Sequence, residues 1–128
     1  MWSGGRAFAE SFLERKTGES AFALREQLGN LMWANVGIVR TGEKLKSAIV
    51  SLSEMRTQTG NIAVAGSRAF NLGWQQALDV SNLLTAADLI ARSALHREDS
   101  RGAHFREDFP AHDDLHWKAH LVEVRAPD

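Results

Sequence analysis

The chain has 128 residues, 44% of them apolar, a formal net charge of -1 and no cysteine. That length and composition suffice for one buried core, which excludes a disordered chain. The near-neutral balance excludes a basic nucleic-acid binder. The lack of thiols excludes disulfides, thiolate catalysis and thiolate metal sites, and fits a reducing, cytoplasmic setting. No apolar run approaches the roughly 18 residues of a membrane span. The opening MWSGGRAFAESFLER carries acidic and polar residues where a signal peptide keeps its apolar stretch.

Apolar spacing predicts helices almost throughout. Residues 6–16 form a short first helix with Ala7, Phe8, Phe12 and Leu13 on its apolar side, ended by Thr17-Gly18. A second runs from Ser20 to Val36, where Leu24, Leu28, Leu31 and Met32 make one stripe, and Gly37 stops it. Thr41 caps a third, with Glu43 near its positive end, and Leu45, Ala48, Ile49, Leu52 and Met55 repeat the spacing. Residues 57–66 read as a loop punctuated by Gly60 and Gly66. The fourth helix, Ser67 to His96, is the longest. Its stripe of Val80, Leu83, Leu84, Ala87, Ile90, Ala91, Ala94 and Leu95 is wide enough to face two helices, and its alanines permit close approach. The expected fold is mainly α: a three-helix bundle, up-down-up like a spectrin repeat, with a short N-terminal helix and an irregular C-terminal strap.

After residue 97 the pattern changes. Residues 97–120 read REDSRGAHFREDFPAHDDLHWKAH, a polar segment with Phe105, Phe109 and Trp117 as apolar anchors. Arg97, Arg101 and Arg106 alternate with Glu98, Asp99, Glu107 and Asp108, and their planar forks suit carboxylates or backbone carbonyls. An irregular segment laid over a bundle needs such partners, because its backbone has no ladder. Asp113 and Asp114 open one helical turn toward Trp117, and the alternation Leu121–Val124 reads as a short strand. Two chemical alternatives carry less weight. His112, His116 and His120 stand at i, i+4 and i+8, but on a helix the outer two lie about 12 Å apart, too far for one ion. His104 beside Arg101 and Asp108 suggests acid–base work, yet no phosphate loop or nucleophile elbow accompanies it. Trp2, Trp33, Trp74 and Trp117 read as packing anchors.

The stretch SRGAHFREDFP at 100–110, followed by Asp113-Asp114, Trp117 and His120, resembles a signature of one enzyme family. It is SRGAH-x-R-x-DFP-x-x-DD-x-x-W-x-x-H, found near the C-terminus of succinate dehydrogenase and fumarate reductase flavoproteins, with a related form in L-aspartate oxidase. LMWANVGIVRTGEKLKSAI at 31–49 is similar to an aspartate oxidase segment. FNLGWQQALDVSNLLTAADLIARSAL at 70–95 resembles the long helix before the signature, and GGRAFAESFLERK at 4–16 the helix closing the flavin domain. Two positions depart: Asp99 stands where the family usually has Glu, and His112 where Arg is common.

The resemblance implies a division into residues 1–18, the end of a flavin-binding domain plus linker; 19–97, the bundle; and 98–128, the signature strap. It further implies a parent that holds FAD upstream and interconverts succinate and fumarate or oxidises L-aspartate. This chain would serve as a structural, non-catalytic C-terminal domain with no cofactor of its own. Expected partners are the flavin-binding and capping domains and an iron–sulfur subunit, with the assembly at the inner face of a membrane where such partners dock. No catalytic, cofactor or metal residue carries over. The expected strap or domain-interface residues are Arg101, His104, Arg106, Asp108, Asp113, Asp114, Trp117 and His120. Met1 permits an alternative, a complete stand-alone helical interaction module, and exposed tryptophans would favour self-association.

Overall fold

The computed structural model describes residues 2–126, with side chains from Gly4 onward, so the ring of Trp2 lies outside the described residues. In chain order the elements are α1 (Trp2–Glu14), α2 (Ala21–Val36), β1 (Val39–Arg40), α3 (Gly42–Thr59), α4 (Leu72–His96), β2 (Phe105–Arg106) and α5 (Asp114–Trp117). Helices α2, α3 and α4 pack against one another as a bundle, and α1 lies against α4. Among the described residues, no helix is long and apolar enough to cross a membrane.

Caps set the helix starts. Ser20 accepts from Ala23 N and Thr41 from Lys44 N, so α2 and α3 begin where the sequence places them. The long helix differs from its expected start at Ser67. Asn71 is its cap, accepting from Trp74 N at 3.0 Å while its amide holds the carbonyls of Ala65 and Ser67. Phe70 just before it has φ 52°, a left-handed conformation that no helix continues through. Helix α3 also runs into the expected loop at 57–66, ending at Thr59, and in its last turn the hydroxyls of Thr57 and Thr59 bond back to Ser53 O and Arg56 O.

The core is aliphatic. Leu24, Leu28, Leu45, Ala48, Leu52, Val80 and Leu84 are buried between the helices, and Ala77, Ala87, Ala91 and Ala94 supply α4's contact surface. Two members of the predicted α4 stripe do not join them. Leu83 and Ile90 are 40% and 50% exposed beside a groove between α2 and α4. Trp33 also departs from its reading as a packing anchor: it is 86% exposed. Ala91 is fully buried, so Ala91→Leu must push α4 outward. A loss of about 1–3 kcal/mol is expected, measured as a lower urea midpoint with unchanged slope.

Helix α1 is fastened at its C-terminal half. Phe12 is fully buried, Phe8 meets it edge-on at 5.0 Å, and Phe12 O accepts from Val64 N. Trp74 Nε1 donates to Ala9 O at 2.6 Å, and Arg15 Nη1 donates to Ile62 O.

A sheet absent from the sequence reading completes the fold. β1 and β2 pair in parallel, Val39 opposite Phe105 and Arg40 opposite Arg106. The strand expected at Leu121–Val124 does not form; that stretch is irregular.

Candidate functional site

The signature segment builds itself around a tight turn. Arg101 N donates to His104 O at 2.8 Å and His104 N to Arg101 O at 3.0 Å. Gly102 between them has φ 58°, which a side chain would resist. The turn delivers β2 to β1, where Phe105 N reaches Ile38 O and Glu107 N reaches Arg40 O. Ser100 then closes the loop, its hydroxyl accepting from Arg106 N and donating to Phe109 O, both at 2.9 Å.

Arg106 is the centre of this arrangement, at 2% exposure. Its Nη1 donates to the carbonyls of Ala94, Leu95 and Arg97 at 3.0–3.1 Å, the free acceptors at the C-terminal end of α4. Its Nε and Nη2 grip Asp108 at 2.7 and 2.6 Å. Asp108 Oδ2 also accepts from Gly42 N at the start of α3, at 2.9 Å. One ion pair thus puts a cation on the negative end of α4 and an anion on the positive end of α3. Gly42 lets the carboxylate approach this closely, since a Cβ would stand 2.9 Å from it and would have to displace it. The Arg106 guanidinium holds the Asp108 carboxyl well below the usual carboxylate range, against burial that pushes the other way. Of the three expected aromatic anchors, Phe105 and Phe109 are 39% and 37% exposed, while Trp117 is partly buried and meets His96 edge-on at 5.9 Å, so Arg106 and Trp117 pin the strap.

Asp99 forms a second node. It is fully buried and accepts from Arg97 and Arg101, each at 3.2 Å. Burial pushes its carboxyl up, but the bonds from Arg97, Asp113 N–H and Arg101 together hold it down. Arg101 continues to Asp114 at 2.9 Å, and Arg97 donates to Trp117 O and Ala119 O while its guanidinium lies 5.6 Å from the Trp117 ring. The Asp at a position usually held by Glu still reaches both arginines.

His112 bonds Asp114 at 2.9 Å, and His116 bonds Asp113 at 2.8 Å. The three spaced histidines share no helix, since α5 spans only Asp114–Trp117. Among the described residues, no group of three or more His, Cys, Asp or Glu side chains is placed to hold a metal ion.

His104 does not meet Asp108. Its Nδ1 accepts from Arg40 Nη1 at 2.7 Å, and Nε2 faces Arg97 O at 3.4 Å, which requires the neutral tautomer protonated on Nε2. Arg40 also donates through Nε to Val36 O and Gly37 O, the C-terminal carbonyls of α2. Arg40 escaped the sequence reading because nothing in its spacing sets it apart. Burial lowers the His104 ring's basicity, and the charges of Arg40, Arg106 and Arg97 lower it further.

A pH profile follows. Below about pH 6.5 the unfolded chain takes up a proton on His104 that the native chain resists, so stability declines as pH falls. Below about pH 4 the depressed Asp99 and Asp108 add a second loss, because unfolding then also binds protons. Urea midpoints between pH 8 and pH 3 should show both steps, and His104→Gln should remove only the upper one.

Residues 25–127 match the family described as fumarate reductase flavoprotein C-term. The chain belongs to that family. The CoM/CoB fumarate reductase of Methanothermobacter marburgensis contains a similar segment, 42% identical over 68% of this chain. The fumarate reductase flavoprotein subunit of Mycobacterium tuberculosis is 37% identical over 87% of it. A chloroplastic L-aspartate oxidase from rice (Oryza sativa) is 36% identical over 67%. Mycobacterium smegmatis Sdh1, solved in complex with UQ1, superposes with TM-score 0.84 at 33% identity, covering 88% of this chain. A quinol–fumarate reductase with menaquinol molecules gives TM-score 0.80 at 27% identity over 90%. The chain spans only 13–20% of the length of these proteins. FAD belongs to the full-length flavoproteins. The Rossmann mode of holding a dinucleotide uses a multistranded sheet with a glycine-rich phosphate turn. The described residues of this family domain offer one ribbon of two two-residue strands, which does not fit it.

Proposed function

We propose that the chain is the structural C-terminal helical domain of an FAD-dependent oxidoreductase that interconverts succinate and fumarate or oxidises L-aspartate. The observation that carries this reading is the signature strap itself. Its Arg106–Asp108 pair is spent on closing the ends of α3 and α4, and its Arg101 on Asp99 and Asp114, so its chemistry is that of a fastener. In this reading residues 1–18 end the flavin-binding domain, 19–97 are the bundle and 98–128 the strap. Exposed Phe22, Trp33, Phe70 and Leu72 supply apolar area for the flavin-binding and capping domains. An iron–sulfur subunit joins the assembly in the succinate and fumarate branch and is absent in the aspartate branch. The setting is the cytoplasm, at the membrane's inner face where such a partner docks.

The test is to express the chain with the polypeptide encoded upstream in its own reading frame. Co-purification, flavin absorbance only in the joint product, and turnover of succinate, fumarate or aspartate are expected. Flavin bound by the chain alone, or failure of the two parts to associate, would sink the reading. A stop codon directly upstream would favour a stand-alone interaction module.

A further inference from the structure

We infer that the concave region between α4 and the strap binds a small organic carboxylate with a short apolar body, anchored by Arg40. The inference goes beyond the proposed function and stands whether or not that holds.

Arg97, Arg101 and Arg106 each have a carboxylate partner, but Arg40 has none within ion-pair distance among the described residues. Its Nε and Nη1 are used on carbonyls and His104, and Nη2 makes no hydrogen bond among the described residues. It is half-buried, where burial already disfavours its charge. A guanidinium in that position gains from a counter-ion more than a solvated one would.

The surroundings are shaped for such a counter-ion. Arg40, His104 and His120 line a cleft of about 460 Å³ whose other wall is Leu89, Ile90 and Leu121. A neighbouring cleft of about 290 Å³ shares His104 and His120 and adds Arg97, Arg101 and Lys118. Among the described residues, no Asp or Glu lines either cleft, although the chain as a whole carries a net charge of -1. In the larger cleft Arg97 is already paired with Asp99 and His104 is neutral, so Arg40 supplies the cationic charge that would draw an anion. The planar fork of Arg40 suits a carboxylate, and the leucine and isoleucine wall suits an alkyl body attached to it. Residues 120–126 run past the mouth, where Glu123 accepts from Ser93 of α4 at 3.0 Å, and α4 supplies the opposite wall.

The experiment is an NMR and calorimetric titration of the 128-residue chain with hexanoate, acetate and inorganic phosphate at fixed ionic strength. The ring resonances of His104 and His120 and the Arg40 Nε–H are followed. Saturable shifts with hexanoate, at least tenfold tighter than with acetate or phosphate, are expected, and Arg40→Gln should weaken hexanoate tenfold or more. Should Arg40→Gln fail to fold, Lys118→Gln with His120→Gln on exposed positions decides, with at least threefold weaker binding expected. No saturable shift in the native chain overturns the site. So does equal response to all three anions, or hexanoate affinity unchanged in the folded variants; the α2 carbonyls then suffice for Arg40.

Discussion

Arg106→Met should lower the unfolding free energy by about 3–5 kcal/mol, read by urea denaturation followed by far-UV circular dichroism. Methionine matches much of the side-chain volume, so the loss isolates polar chemistry from packing. It leaves three carbonyls at the end of α4 and the Asp108 carboxylate without the guanidinium that joins them. Most domains have only about 5–15 kcal/mol in total, so the variant stands near the folding threshold. Arg106→Lys should recover little, since one ammonium cannot span the carbonyl cluster and both carboxylate oxygens. Asp108→Asn should cost less than either, because Asp108 is 36% exposed and water can serve its neighbours. A change below about 1 kcal/mol for Arg106→Met would mean that the ion pair is incidental to the fold.

Phe12→Ala should cost about 3–5 kcal/mol, with an effect localised at first to α1. The ring is the one fully buried side chain among the described residues of that helix, and its removal opens a cavity against Ile62, Val64 and α4. The remaining ties are the Trp74 and Arg15 bonds and the Val64 N–H. Limited trypsin digestion should cut the variant at Arg15 and Lys16 under conditions that leave the native chain whole, while bundle helicity persists. Protection of those sites in Phe12→Ala would show that α1 is held by something other than this ring.

The bundle was legible because its signals are local. The Ser20 and Thr41 caps, the stripe from Leu24 to Leu28, and the spacing from Leu45 to Leu52 each lie within one helix and obey one period. The errors lie where distant residues decide. Leu83 and Ile90 have the right spacing, yet they face a groove that α2 does not fill. The pairing of Val39-Arg40 with Phe105-Arg106 joins segments 66 residues apart, and two-residue strands carry no alternation to read. At the site, the sequence offered arginine and aspartate as the strap's material. It could not show that Arg106 turns inward while Phe105 and Phe109 stay half outside, because that depends on the α4 carbonyls. Arg40 was invisible for the same reason: its role comes from sitting beside His104.

Phe70 carries one more consequence. Its backbone sits at φ 52° and its ring is fully exposed, so the chain bears about 1–2 kcal/mol of conformational cost with no interior contact in return. Phe70→Asn or Phe70→Gly should therefore raise the melting temperature by a few degrees in a chain of this size. The residue marks a spot where the thermal tolerance of the chain by itself was left unclaimed. Heat resistance could be raised there without touching the latch or the core, at the expense of one ring in the apolar area proposed to meet the rest of the flavoprotein.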